Sequence, residues 1–237
     1  MKKTVGQIVA DDYRTAQVFK NYKIDFCCKG NRSIVEVASK YKIDPEQLID
    51  EIKTAARQGD GDKSDFNTWH LDLLADYIEK KHHRYVEGQI PILKQYLAKL
   101  CKVHGERLPE LFEIQEHFNA SGGELTMHMK KEEMILFPWI RKMVEAERQG
   151  AELEKPHFGT VKNPIAMMMQ EHDNEGERFR VIAELTNNYS PPAEACNTHR
   201  VAFSLLKEFE EDLHQHIHLE NNILFPKAEA IEHKLVG

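Results

Sequence analysis

His128-Met129-Lys130-Lys131-Glu132, running on to Leu136-Phe137-Pro138, is written a second time as His216-Ile217-His218-Leu219-Glu220, running on to Leu224-Phe225-Pro226. The histidines, the glutamates and the prolines of the two copies all stand 88 positions apart. A further histidine precedes each copy: His83 lies 45 residues before His128, and His172 lies 44 before His216. The chain is therefore a repeat of a histidine helix followed by a His-x-x-x-Glu helix. Histidine and glutamate four apart are neighbours on one helical face, one turn along.

Apolar periodicity places these polar residues inside. Ala202, Leu205, Phe209, Leu213, His216, Glu220 and Ile223 step by three or four, as do Phe118, Leu125, His128 or Met129, Glu132, Ile135 and Leu136. Ile165, Met168, His172, Gly176 and Phe179 form a third such face. A polar group on a core stripe must be paired or ligated, because leaving it unpaired costs about 1–3 kcal/mol, and a charge more. One copy alone is explained equally well by a buried His–Glu hydrogen bond. Two copies at one offset, each behind a core-facing histidine, favour a dinuclear metal site. Nitrogen and carboxylate ligands without thiolate suit iron, manganese or zinc, whereas a structural zinc site is usually closed and cysteine-containing. In the first helix Leu71, Leu74 and Ile78 aim the stripe at His82, while Val86, Ile90, Leu93 and Leu97 aim it at His83, so periodicity leaves both open.

Around these motifs the chain reads as all-helical, with glycine and proline sparse. The break at Arg57-Gln58-Gly59-Asp60-Gly61-Asp62-Lys63-Ser64 is polar and glycine-containing. It divides a small helical domain (1–57) from a linker (58–66) and an antiparallel four-helix bundle (67–237). In the small domain Asp44-Pro45 reads as a cap followed by first-turn proline. A domain of this size is near the lower limit for independent stability and is expected to dock on something. The bundle helices are expected from about Asn67 to Cys101 with a kink at Pro91, Pro109 to Arg148, Asn163-Pro164 to the stop at Asn187-Asn188, and Ala193 to Leu224.

A formal charge of −7, a pI near 6.0 and a mean hydropathy of −0.58 argue against nucleic acid or anionic membrane as partners. No apolar run approaches the roughly 18 residues of a spanning helix. Four cysteines without CxxC spacing do not make a disulfide framework, which points to a reducing cytoplasm. Cys101 and Cys196 read as buried or incidental, and Met167, Met168 and Met169 as core filler. His82, His104, His117, His214 and His218 read as bystanders; His214 and His218, two positions either side of His216, are expected in solvent. His104, beside Gly105, can cap helix-end carbonyls.

The bundle resembles the hemerythrin-like domains, antiparallel four-helix bundles around a non-haem di-iron centre. Asp25-Phe26-Cys27-Cys28-Lys29-Gly30 resembles the vicinal-cysteine motif of the iron–sulfur cluster repair di-iron proteins, which join a short domain of this kind to a hemerythrin-like one. Glu171-His172-Asp173 and both Glu-to-Pro runs match as well, and the likeness covers nearly the whole chain. The resemblance implies two carboxylate-bridged iron ions held by His83, His128, Glu132, His172, His216 and Glu220, and it selects His83 over His82. It implies repair of clusters damaged by oxidative or nitrosative stress through iron donation, with iron–sulfur proteins as partners and Cys27 and Cys28 as redox or iron-transfer thiols. A nitric oxide-binding or -reducing enzyme and an oxygen-binding sensor remain alternatives, as does a homodimer. One departure stands out: Lys29 occupies a position where many members carry glycine, which could alter the turn.

Overall fold

The computed structural model describes residues 3–58 and 65–236. The linker expected at 58–66 falls mostly outside them. Its last residue, Phe66, is buried against Trp69 and Tyr77 and belongs to the bundle core instead.

Four short helices come first: α1 (Val5–Asp11), α2 (Ala16–Asn21), α3 (Ile34–Tyr41) and α4 (Pro45–Gln58). Their starts are set locally. Thr4 with Gln7, and Ser33 with Glu36, form reciprocal capping boxes, and the Asp44 carboxylate accepts the Glu46 N–H just ahead of first-turn Pro45.

Four long helices follow. α5 is Leu71–Tyr77, a π-helical turn Ile78–His83, and Arg84–His104; α6 is Glu110–Lys131, a π turn Glu132–Leu136, and Phe137–Gln149. α7 is Lys162–Leu185; α8 is Asn197–Leu219, a π turn Glu220–Leu224, and Phe225–Val236. The last helix thus runs a further three turns past the expected end at Leu224. Proline at 226 does not stop it, because the preceding turn is already wide: the Phe225 N–H reaches the Glu220 carbonyl five residues back. A proline ring normally collides with the carbonyl four residues before it, and a π turn relieves that collision. Pro138 follows the π turn of α6 in the same way, with Phe137 N–H bonded to the Glu132 carbonyl. Pro91 lies within the continuous second segment of α5.

α7 also starts earlier than its sequence suggests. Asn163 is not its cap; the helix begins at Lys162, and the Val161 N–H is taken by Glu232 of α8 at 2.8 Å. A carboxylate near a helix N-terminus is favoured by the helix dipole.

The bundle is antiparallel, and its apolar interior falls into two clusters. One contains Leu71–Ile78 of α5, Leu136–Val144 of α6, Ile165 and Met168 of α7, and Leu219–Ala228 of α8. The other contains Val86–Cys101, Leu111–Met129, Phe179 and Ile182, and Ala202–Ile217, and continues into the cores of α1–α4. Each long helix passes from one cluster to the other where its expected histidine lies.

The short helices dock on the bundle rather than standing free. Asn222 of α8 donates to the carbonyls of Phe26 and Cys27, and its side chain fits between Gly6 and Gly30. A Cβ on Gly6 would stand 2.1 Å from the Asn222 Oδ1, and one on Gly30 would stand 2.7 Å from it. Gly30 is therefore the glycine this turn requires. Lys29 is exposed and has no left-handed backbone, so its replacement of glycine leaves the turn intact.

Candidate metal centre

His83, His128, Glu132, His172, His216 and Glu220 meet between the two apolar clusters, each at most 2% exposed. The Glu132 Oε2 lies 3.3 Å from the His83 Nε2 and 3.4 Å from the His128 Nε2. Glu220 receives the other pair, with His172 Nε2 at 3.1 Å and His216 Nε2 at 3.0 Å. Ligand atoms fall into two overlapping groups within 4.8 Å: His83 and His216 with both glutamates, and His128 and His172 with both glutamates. Both carboxylates are shared, which is the donor set of a bridged pair of cations.

π turns make this convergence possible. Glu132 and Glu220 each open one and His83 closes another, while α7, which supplies a single histidine, has none. A wide turn shifts the following residues around the axis, so Ile135, expected in the core, is 40% exposed and Phe137 is fully buried in its place.

Three of the four imidazoles are aimed by a hydrogen bond from Nδ1. His83 donates to Glu133 at 2.9 Å, His128 to Glu171 at 2.8 Å and His172 to the Asn221 Oδ1 at 2.9 Å. Glu133 is in turn paired with Lys130, and Glu171 with Lys131. These are the partners that orient metal-binding histidines and fix their tautomer. Among the described residues the His216 Nδ1 has no such partner; His82 stacks on that ring at 5.5 Å and donates its own Nδ1–H to Asp212.

The donor set can be tested for fit to a cation. A neutral imidazole that gives away Nδ1–H presents a lone pair at Nε2. His128 and His172 both do so, and their Nε2 atoms stand 3.0 Å apart. Two facing lone pairs require a cation between them, either a proton or a metal ion. The titration behaviour agrees. Burial favours the neutral form of His128, but the charge of Glu132 beside it and the hydrogen bond to Glu171 outweigh it and raise its pKa to about 10. Burial likewise opposes ionisation of Glu220, yet the charges of His216 and His172 and the bond from His216 hold it well below the usual carboxylate range. Glu132 Oε1 and Oε2 and Glu220 Oε2 have no aligned hydrogen bond. Two buried carboxylates facing four imidazole nitrogens fit a dinuclear metal, since uncompensated buried charge costs several kcal/mol.

Of the expected bystanders, His82 and His218 are buried, and His214, expected in solvent, is half-buried with its ring against Phe26. His82 is fully buried beside His216, and His218 is 1% exposed beneath Tyr13 and Phe26, its Nδ1 accepting from Asn222. The docked short helices cover the face of α8 that single-helix geometry assigns to water. His104 contacts the exposed Cys196 at 3.3 Å instead of capping a carbonyl, and His117 lies near Glu113. Cys101 is buried, as is Met168, but Met167 and Met169 face outward.

Cys27 and Cys28 do not join the six residues, yet they lie against them. The Cys28 thiol donates to the His172 carbonyl at 3.4 Å, and Asn221 Nδ2 donates to the Cys27 carbonyl at 3.3 Å. Among the described residues no helix is long and apolar enough to cross a membrane.

Comparison with known proteins gives concordant results. Residues 74–228 match the hemerythrin HHE cation binding domain, and residues 1–56 match a Domain of Unknown function (DUF542). The chain is similar to the iron–sulfur cluster repair protein ScdA of Staphylococcus haemolyticus, with 34% identity over 94% of this chain and 96% of that one. It is similar to the repair protein YtfE of Yersinia pestis at 34% over 95% and 96%, and to that of Citrobacter koseri at 32% over 96% and 97%.

Proposed function

This chain belongs to the family of iron–sulfur cluster repair proteins built on a hemerythrin HHE cation-binding domain, and on that premise we propose that it carries a pair of iron ions as cargo and releases iron to clusters damaged by oxidative or nitrosative stress. One ion would be held by His83 and His216, the other by His128 and His172, with Glu132 and Glu220 bridging. The observation that carries this reading is the sharing of both buried carboxylates between two imidazole pairs.

The chemistry favours release. Each ion would receive two imidazoles and two carboxylates from the protein and no thiolate, which would leave room for the additional ligands iron accepts. Carboxylates are harder ligands than thiolates and shift more easily between binding modes, so an acceptor offering cysteine sulfur can compete for the metal. The protein groups set the stage: Glu133, Glu171 and Asn221 orient their imidazoles, and the apolar clusters on either side keep the carboxylates from water. Open positions would also admit small ligands such as nitric oxide or oxygen. Cys27 and Cys28, beside the centre, would receive outgoing iron or change redox state.

Glu132→Leu and Glu220→Leu test the reading. Each is expected to lose most bound iron and, in parallel, the ability to restore activity to a cluster-damaged iron–sulfur enzyme, measured with purified proteins. Restoration at the wild-type rate by a variant shown to lack iron would overturn donation from this centre. A Cys27→Ser/Cys28→Ser double variant is expected to keep the two irons of the bundle.

A further inference from the structure

We infer that Asp25, Cys27 and Cys28 form a second, mononuclear metal site for a single thiophilic divalent cation, Fe2+ in the cell. The inference deepens the reading above, because it gives iron leaving the bundle a defined soft landing place, and it rests on that reading only for the identity of the metal.

The geometry of the three side chains is the argument. The Cys27 and Cys28 Sγ atoms stand 3.8 Å apart, and the Asp25 Oδ1 is 3.5 Å from the Cys27 Sγ. All three ligand atoms lie within 4.8 Å of one another. A tetrahedral metal with metal–sulfur bonds of about 2.3 Å places two sulfurs about 3.8 Å apart. A disulfide would need about 2.05 Å, and both thiols are free. Successive side chains on an extended strand point to opposite faces. Here a turn brings both to one side. The turn is held by the carboxylate itself: the Asp25 Oδ1 accepts the N–H groups of Cys27 at 3.1 Å, Cys28 at 2.9 Å and Lys29 at 3.3 Å. A turn-capping role explains those three bonds, but it does not explain why both thiols gather beside the same carboxylate.

Binding balances simply. The dication joins one carboxylate and two sulfurs, and the two thiol protons leave to solvent.

Placement links the site to the centre. Cys28 lies on the His172 carbonyl, and Gly176, one turn further along α7, leaves the space its sulfur fills; a Cβ there would come within 3.3 Å of it. His172 belongs to the half of the centre whose two imidazoles are both anchored through Nδ1. Iron held firmly there is the iron that needs a soft acceptor to draw it out, and thiolate is the softer ligand.

Cobalt(II) added anaerobically to the full-length metal-free protein, in a Cys101→Ser/Cys196→Ser background, tests the site. The bundle centre offers no sulfur, so thiolate-to-cobalt charge-transfer absorption reports only on Cys27 and Cys28. The band is expected to saturate at one cobalt per chain and to vanish in Cys27→Ser and in Cys28→Ser. Asp25→Asn keeps the carbonyl oxygen that caps the turn and removes the charge; it should weaken the cobalt responsible for the band at least about tenfold, with the nitrogen- and oxygen-bound cobalt of the bundle unchanged. Absence of the band, its persistence in either serine variant, or equal affinity in Asp25→Asn overturns the proposal. Failure of the bundle to retain iron would sink the donation reading and leave this band unaffected, so the two can fail separately.

Discussion

The π turns of α6 and α8 come from the same repeated pattern, and they sit in opposite environments. Glu133 and Asn221 occupy equivalent places, each directly after a shared glutamate, and each orients a histidine on another helix: Glu133 takes the His83 Nδ1–H, and Asn221 takes that of His172. The next residues diverge. Met134 is 74% exposed, whereas Asn222, its counterpart, is tied to Phe26 and Cys27 under the docked short helices. Lys130 and His218, also equivalent, are in solvent and buried respectively. One motif therefore builds the same metal-facing side twice, and only its α8 copy has an outer side adapted to carry the cysteine turn.

The outer side should give the largest effect. Asn222→Met gives α8 the residue α6 has; it loses the bonds to two carbonyls and to His218 and crowds Gly6 and Gly30. Together these should cost about 3 kcal/mol, read as a lower urea midpoint and faster proteolysis before residue 58. The reciprocal Met134→Asn should fall within about 0.5 kcal/mol of wild type. Equal effects from the two would mean that the docking does not depend on this contact.

The inner side should behave alike in both copies. Glu133→Ala and Asn221→Ala each remove the partner of one ligand histidine and should weaken iron retention roughly 10- to 100-fold. Of these two, only Asn221→Ala should also loosen the amino-terminal helices, since Asn221, unlike Glu133, bonds the Cys27 carbonyl. Iron content after dialysis against a chelator, set beside proteolysis rates, separates the two consequences.

What could be read from the sequence divides along the same line. Five of the six residues gathered at the centre were legible because polar groups on core stripes recurred in the two copies, a property of each helix by itself; for the sixth, periodicity left His82 and His83 open and the family resemblance chose His83. Their partners were not legible, because His83–Glu133, His128–Glu171 and His172–Asn221 join different helices 50, 43 and 49 positions apart. His218 was assigned to solvent for the same reason: periodicity on α8 holds no information about Tyr13 and Phe26 folding over it. The start of α7 depends on Glu232, far along the chain, so the local Asn163-Pro164 signal misplaced it. Ile135 and Phe137 exchanged places because a 3.6-residue period cannot anticipate a π turn.

Acid should act on one copy and spare the other. Burial pushes the His218 pKa down to about 3 from its ordinary value near 6.5. Between these values the unfolded chain carries the proton and the folded one does not, so stability is complete above 6.5 and falls as pH drops. By pH 5 the loss is about 2 kcal/mol, and His218→Asn should remove that share of the slope in urea titrations at pH 7 and pH 5. Lys130→His, placing an imidazole at the equivalent exposed position, should add no acid sensitivity of its own.

The smallest expected effect concerns a pair the repeat relates in the other two helices. Glu171 precedes His172 as His82 precedes His83. Glu171 orients His128, whereas His82 stacks on His216 and leaves that ring's Nδ1 without an acceptor. Three anchored imidazoles and one unanchored one make the two halves unequal. Iron at His83 and His216 should pass to an external chelator about tenfold faster than iron at His128 and His172, giving two kinetic phases. Glu171→His imposes on the second half the arrangement of the first and should merge the phases towards the faster rate. A single phase in the wild type, unchanged in Glu171→His, would show that the hydrogen bond to Nδ1 does not govern how tightly each half holds its ion.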